Sequence, residues 1–295
     1  MAASYPFAAG HSTEHGDEDL VRRAQSGEPV AIDELVRRHQ PWIYNIAVRM
    51  LGHPYDAQDA TQEILMKAIG RIGSFEGRSG FRTWLYRIVV NHVLNMKRGR
   101  LEPAAMTFNC YAHGLDSTPD LDLPDEREAP ADLRLLVDEA RISCTSGMLL
   151  CLDREQRLIY VLGEIFGVPD VVGAELLEVS RENFRQRLAR ARRDLHSFMN
   201  DKCGLVNSAN PCRCAKKTRG FVQAGYVDPE NLLFARGHVE QVQDVVRAKA
   251  DALSAVDEQC AQVFRQHPVH EPVDLVPALR RLVAGPEFKR AIDLP

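Results

Sequence analysis

The chain has 295 residues, 45% hydrophobic and 26% charged, with a formal net charge of −4. That length suits two or three domains, and the apolar fraction is enough for real cores. The overall charge does not suggest DNA binding, but the charges are segregated and local patches decide; no stretch approaches the roughly 18 apolar residues of a membrane helix.

Residues 1–16 lack the basic start and apolar core of a secretory signal and read as a disordered lead-in, so a cytoplasmic location without membrane contact is expected. Residues 17–101 read as one helical domain. Leu20, Val21 and Ala24 open a first helix. After Gly27-Glu28-Pro29 the spacing of Ile32, Leu35, Val36, Trp42, Ile43, Ile46, Ala47 and Met50 predicts a second. Gly52-His53-Pro54 ends it, and a third helix carries Asp56, Asp59, Gln62 and Glu63. The glycine- and serine-rich stretch from Gly73 to Gly80 can fold tightly around a ligand.

In the helix after that loop, Arg87, Asn91, Asn95 and Arg98 form one stripe opposite Phe81, Leu85, Ile88, Val89, Val93 and Met96. No acidic residue lies between Glu76 and Glu102, while Arg78, Arg82, Arg87, Lys97, Arg98 and Arg100 alternate with Phe81, Trp84 and Tyr86. Cations for phosphates, amides for base edges and rings for bases suit unpaired nucleic acid. The plainer reading is a solvated polar stripe, with Trp84 in the core.

Residues 102–132 hold four prolines and a run of aspartate and glutamate, and read as an extended acidic linker that packs no core. Residues 133–199 form a second helical domain. Asp153 and Gln156 resemble a capping box, Gly167-Val168-Pro169 breaks the chain, and a short helix from Asp170 to Leu177 precedes one capped by Ser180. This is a helix-turn-helix whose second helix would enter the major groove. Phe184, Leu188, Ala191 and Leu195 face inward there, and Arg181, Arg185, Gln186, Arg190 and Arg193 point elsewhere.

Residues 200–227 contain Cys203, Cys212 and Cys214, three of the seven cysteines, followed by Lys216 and Lys217. Three readings stand: a metal site such as zinc, with His196 or His238 as fourth ligand; a redox switch with thiol pKa values lowered by Arg213, Lys216 and Lys217; or structurally incidental thiols. Cys151 reads as core, and no disulfide framework is expected. Residues 228–295 form a helical C-terminal extension. Asp228-Pro229-Glu230 would start a long helix reaching about Arg265 with a Val239, Val242, Val246, Ala250, Leu253, Val256 stripe. A final helix would bury Leu275, Leu279, Leu282 and Val283. The extension is expected to fold back on the other domains, or to receive a partner, and to tune activity. No strand-length alternation appears in most of the chain, so the fold class is all-α.

Two runs resemble bacterial RNA polymerase sigma factors of the extracytoplasmic-function (ECF) type. The family's D-x-x-D-x-x-Q-E appears as Asp56, Asp59, Gln62, Glu63, and its F-x-x-x-x-x-F-x-x-W-L-x-x-I-x-x-N as Phe75, Phe81, Trp84, Leu85, Ile88, Asn91. Its I-S-x-x-x-V-x-x-R-L-x-R-A-R is similar to Val179, Ser180, Phe184, Arg187, Leu188, Arg190, Ala191, Arg192. The resemblance covers about Asp17 to Met199. It implies that the Asp56 helix docks on the beta-prime clamp helices of core RNA polymerase. It implies that the loop and next helix open and read the promoter −10 element through Arg78, Arg82, Arg87, Asn91, Asn95, Lys97 and Arg98. The −35 element would fall to Arg181, Arg185, Gln186 and Arg190. The linker would thread polymerase channels as a nucleic-acid mimic, and an anti-sigma factor or other regulatory partner is a candidate. No cofactor is required.

The chain departs from the family in the scaffold helix, where Val172-Gly173-Ala174 replaces E-I-A; glycine there costs roughly 1 kcal/mol against alanine and puts that helix's docking in question. The alternative is a free-standing helix-turn-helix regulator with a metal- or redox-sensing tail, which leaves the Asp56–Arg98 block unexplained. An enzyme is not expected. No phosphate-binding glycine loop or nucleophile–base pair is visible, and His39, His53 and His92 read as surface or satisfied core groups.

Overall fold

Two prolines set the entries of the N-terminal bundle. Pro29 and Pro54 occupy the first turns of α2 (Pro29–Leu51) and α3 (Pro54–Arg71), where an absent amide breaks no helical bond. Gly52 closes α2 at φ 69°, its amide donating to the Val48 carbonyl. The computed structural model describes residues 14–96, 106–121, 131–234, 256–265, 267 and 272–284, and every regular element among them is helical. Of the expected lead-in, residues 1–13 lie outside the described residues, and α1 (Glu14–Gln25) takes up the last three.

α1, α3 and α4 (Phe81–Asn95) pack around α2, and Ile43, Ile46, Met50, Leu51, Ile64 and Leu85 are fully enclosed. The α4 core face is wider than the sequence stripe predicts. Tyr86, Val90 and His92 are buried along with Phe81, Leu85, Ile88, Val89 and Val93. Tyr86 stacks on Trp42 with centroids 4.3 Å apart.

The expected extended linker contains a packed helix, α5 (Phe108–Ser117), capped by Thr107. Gly147 lets it dock on α6 (Ala131–Leu150), because a Cβ there would lie 2.6 Å from the Tyr111 hydroxyl. That hydroxyl donates to the Cys144 carbonyl at 2.7 Å. From the other side, α10 (Cys214–Gln223) supplies buried Lys217, whose ammonium donates to the Leu115 and Thr118 carbonyls at 2.9 and 2.5 Å. Acidic composition concealed the few side chains that count: Tyr111, Leu115 and a C-terminal cap from a distant lysine.

The second domain follows the predicted order. Asp153 caps α7 (Arg154–Tyr160), which loosens into a π-turn at Val161–Ile165. α8 (Asp170–Leu176) and α9 (Arg181–Lys202) complete the helix-turn-helix, with Ser180 accepting from the Asn183 amide as N-cap.

The extension departs from expectation at its start. Asp228-Pro229-Glu230 forms a turn in which Asp228 accepts from the Glu230 amide, not a helix. The reason is tertiary: the buried carboxylate of Glu139 on α6 accepts from the Leu233 and Phe234 amides at 2.9 and 2.8 Å and holds this backbone in a bent, non-helical course. Val239, Val242, Val246, Ala250 and Leu253 lie outside the described residues. α11 (Val256–Arg265) packs on α9 through buried Cys260, Ala261 and Phe264, and α12 (Val276–Ala284) packs on α2. The extension therefore does fold back on both domains.

Candidate nucleic-acid interface

Three aromatic rings anchor the loop before α4. Phe75 meets Phe81 and Trp84 at 5.6 and 5.5 Å, and Phe81 stacks on Trp84 at 5.4 Å. Trp84 is half-buried and packs on the core, as the plainer reading expects. The tip turns at Gly77, φ +70°, which favours glycine. Beyond that ring anchor Arg78 is exposed and pairs with Glu76 at 2.5 Å. Arg82 and Arg87 are half-buried, and Arg87 pairs with Glu175 of α8. Asn91 and Asn95 are exposed, the Asn95 amide donating to the Asn91 carbonyl. Lys97 and Arg98 lie outside the described residues.

On α3, Asp59 and Glu63 are exposed and Gln62 is half-buried, one turn from one another on the outer face. Asp56 lies at the helix start, 3.8 Å from His53. Behind them His92 is buried with Lys67 Nζ donating to Nδ1 at 2.7 Å. Burial, then Lys67, lowers the His92 pKa against the opposing pull of Glu63, so the ring is neutral near pH 7.

α9 divides its arginines by role. Arg187 pairs with Glu155 of α7, and Arg192 with Glu164 of the π-turn, so two of the resembling positions brace the domain. Arg181 and Arg185 reach back to Asp170 at 3.2 and 2.6 Å. Arg185, then Arg181, holds that carboxyl below the usual range, against desolvation. Gln186 donates to Glu182 at 3.0 Å. Arg190 and Arg193 project from the exposed face. The Gly173 departure has a structural answer: a Cβ there would overlap the Phe184 ring. Phe184 stands where the family pattern has valine, so the smaller scaffold residue and the larger recognition-helix residue fit each other.

The cysteine segment is a hydrogen-bonded loop. Asn207 and Asn210 donate to the Asn200 carbonyl at 3.1 and 2.7 Å, and Arg213 donates to the Ser208 and Cys212 carbonyls. Among the described residues no three His, Cys, Asp or Glu groups converge to hold a metal, so Cys203, Cys212 and Cys214 assemble no ligand set. His196 is bonded to the Tyr160 hydroxyl at 3.0 Å, and His238 lies outside the described residues. Burial raises the Cys203 and Cys212 pKa values, opposite to the redox expectation, and Lys217 is spent on capping α5. Sequence reasoning set Cys144 apart, yet the α6–α10 packing brings it within the influence of Cys214, Cys203 and Cys212. No spacing signal could have shown this.

An all-α chain with a basic-aromatic loop and helix, followed by a helix-turn-helix, has the architecture of a promoter-recognition protein. Residues 35–101 match the family model of Sigma-70 region 2. The ECF RNA polymerase sigma-E factor of Haemophilus influenzae is 30% identical over 181 residues, covering 60% of this chain and 91% of that one. The RNA polymerase sigma-H factor of Pseudomonas aeruginosa is 42% identical over 93 residues, 31% of this chain and 48% of that protein. A solved structure of CnrH in complex with the cytosolic domain of CnrY aligns with TM-score 0.43 and 26% identity, over 63% of this chain and 97% of that one. The chain belongs to the ECF RNA polymerase sigma factors. It is a promoter-specificity subunit that directs initiation, extended at its C-terminus beyond the matched region; the free-standing regulator is not favoured.

Proposed function

We propose that the two surfaces divide promoter recognition as their side chains suggest. Asp56, Asp59, Gln62 and Glu63 form an acidic face for the beta-prime clamp helices of core RNA polymerase. Arg78, Arg82, Arg87, Asn91 and Asn95, with Lys97 and Arg98 beyond the described residues, take the −10 element. Arg190, with Arg181, Arg185 and Gln186, takes the −35 element. The observation that carries the reading is the sorting on α9: Arg187 and Arg192 are consumed by buried or bracing acids, while Arg190 stays exposed on the outward face.

Arg181 and Arg185, both exposed, are held by one half-buried aspartate, a tie that phosphate oxygens can replace. The chain acts in the cytoplasm; no described helix is long and apolar enough to cross a membrane. It performs no bond chemistry and needs no cofactor, and the Cys203–Cys214 loop serves as a structural joint between α9 and α10.

The test is reconstitution. Purified protein is added to sigma-free core polymerase on a genomic DNA library, and the transcripts are sequenced. Discrete start sites sharing two upstream elements are expected, with Asp59→Arg abolishing them and Arg190→Ala weakening only the distal element. Start sites that survive Asp59→Arg at full strength overturn the polymerase assignment.

A further inference from the structure

The two proposed reading surfaces touch. Arg87 of α4 pairs with Glu175 of α8. Arg154 of α7 donates to the Leu94 and Met96 carbonyls at the end of α4, at 3.3 and 2.5 Å. Buried Arg157 donates to the Met50 carbonyl of α2 while also holding the Leu149 and Leu152 carbonyls of its own domain, at 3.1 and 3.0 Å. Leu150 fills the space over Gly52, where a Cβ would lie 2.9 Å from its Cδ1.

The C-terminal extension then spans the joint. On one side Arg265 donates to the Glu164 carbonyl at 2.7 Å, and His267 lies 2.5 Å from the Thr145 hydroxyl. On the other, the Leu275 amide donates to Gln40 at 3.2 Å, and Arg280 pairs with Asp33 of α2.

Elements at −10 and −35 are separated by about 25 base pairs, or about 85 Å at roughly 3.4 Å per base pair. With α4 against α8, and α9 about 33 Å long at roughly 1.5 Å per residue, the two surfaces cannot grip both elements at once. We propose that this is a resting form, strapped shut by α11 and α12, and that binding core polymerase and promoter requires the joint to open. The proposal rests on the assignment of α4 and α9 as reading elements.

The joint is built to open. Arg87–Glu175 is a partly solvent-exposed pair, so it is weakly held, and DNA phosphates compete for the same guanidinium. Arg157 gives up the Met50 carbonyl on opening and keeps the Leu149 and Leu152 carbonyls of its own domain, so its buried charge is not orphaned. The strap adds strength by tethering: α11 holds α12 at high effective concentration beside α2.

The test uses the full chain, with dyes placed through non-canonical amino acids at exposed Arg71 and Ser197. Single-molecule transfer should report one short distance for the free protein and a long one with core polymerase. Arg280→Asp should raise both the open population and core-polymerase affinity about two- to five-fold, and adding Asp33→Arg should restore both. Glu175→Gln opens the joint by a second route and guards against a folding defect in the first variant. The idea fails if the free protein already shows the long distance, or if the short distance persists with core polymerase. It fails too if neither single variant shifts the distribution. Absence of directed transcription from every variant would instead fault the functional assignment, while the distances still score the strap.

Discussion

Gly173 and Phe184 are complementary: the ring of α9 occupies the place where a methyl on α8 would stand. Phe184 is buried with Ile159 and Ala174 in a small cluster under the helix-turn-helix. Gly173→Ala gains roughly 1 kcal/mol of helix propensity but overpacks a rigid ring at about 1–3 kcal/mol. The expected result is net destabilisation, seen as a lower urea midpoint. Adding Phe184→Val to Gly173→Ala should recover most of it, and a double variant no better than Gly173→Ala would contradict the complementarity.

Arg190 and Arg187 are three residues apart on α9, yet only Arg187 is tied to an acid, Glu155. Arg190→Ala should weaken promoter binding with little effect on stability. If it contacts a phosphate, the salt slope should also fall by about 1. Arg187→Ala should leave that slope intact. Equal slopes for Arg190→Ala and wild type, with equal affinities, would remove Arg190 from the interface.

Lys217 is buried with its ammonium on two carbonyls at the end of α5 and 3.2 Å from Asp120. Lys217→Met strands those carbonyls at a cost of about 1–3 kcal/mol. Hydrogen exchange should accelerate at the amides of α5 before the rest of the chain responds. Unchanged protection of Tyr111 and Leu115 would show that the linker helix docks without this cap.

His92 has a native pKa below its ordinary value of 6.5, from burial and then Lys67. The unfolded chain therefore binds the proton more readily than the native one, and stability falls as pH drops below about 6.5. Denaturation midpoints at about pH 7.5 and 5.5 should diverge less in His92→Gln than in wild type. An identical pH slope in the variant would assign the effect elsewhere.

The positions of α1 to α4 and α7 to α9 were legible because each declares itself locally. Pro29, Pro54 and Ser180 set starts, Gly52 sets a stop, and the apolar spacing repeats at helical period. The candidate residues at Asp59, Glu63, Asn91, Asn95 and Arg190 are exposed as their patterns require. Type and spacing suffice where the governing force lies within one or two helical turns.

Tertiary contact decided the rest. The acidic linker folded a helix because Gly147 and Lys217, at distant positions, offer it a slot and a cap. Asp228 failed to start a helix because buried Glu139 captures the following amides. Arg87 met Glu175 across 88 residues. The amino-acid order alone determined an all-helical promoter-recognition subunit and marked its candidate faces. Which of those faces are free was settled only by long-range packing, since a buried charge or an empty backbone groove accepts any partner the whole chain can deliver.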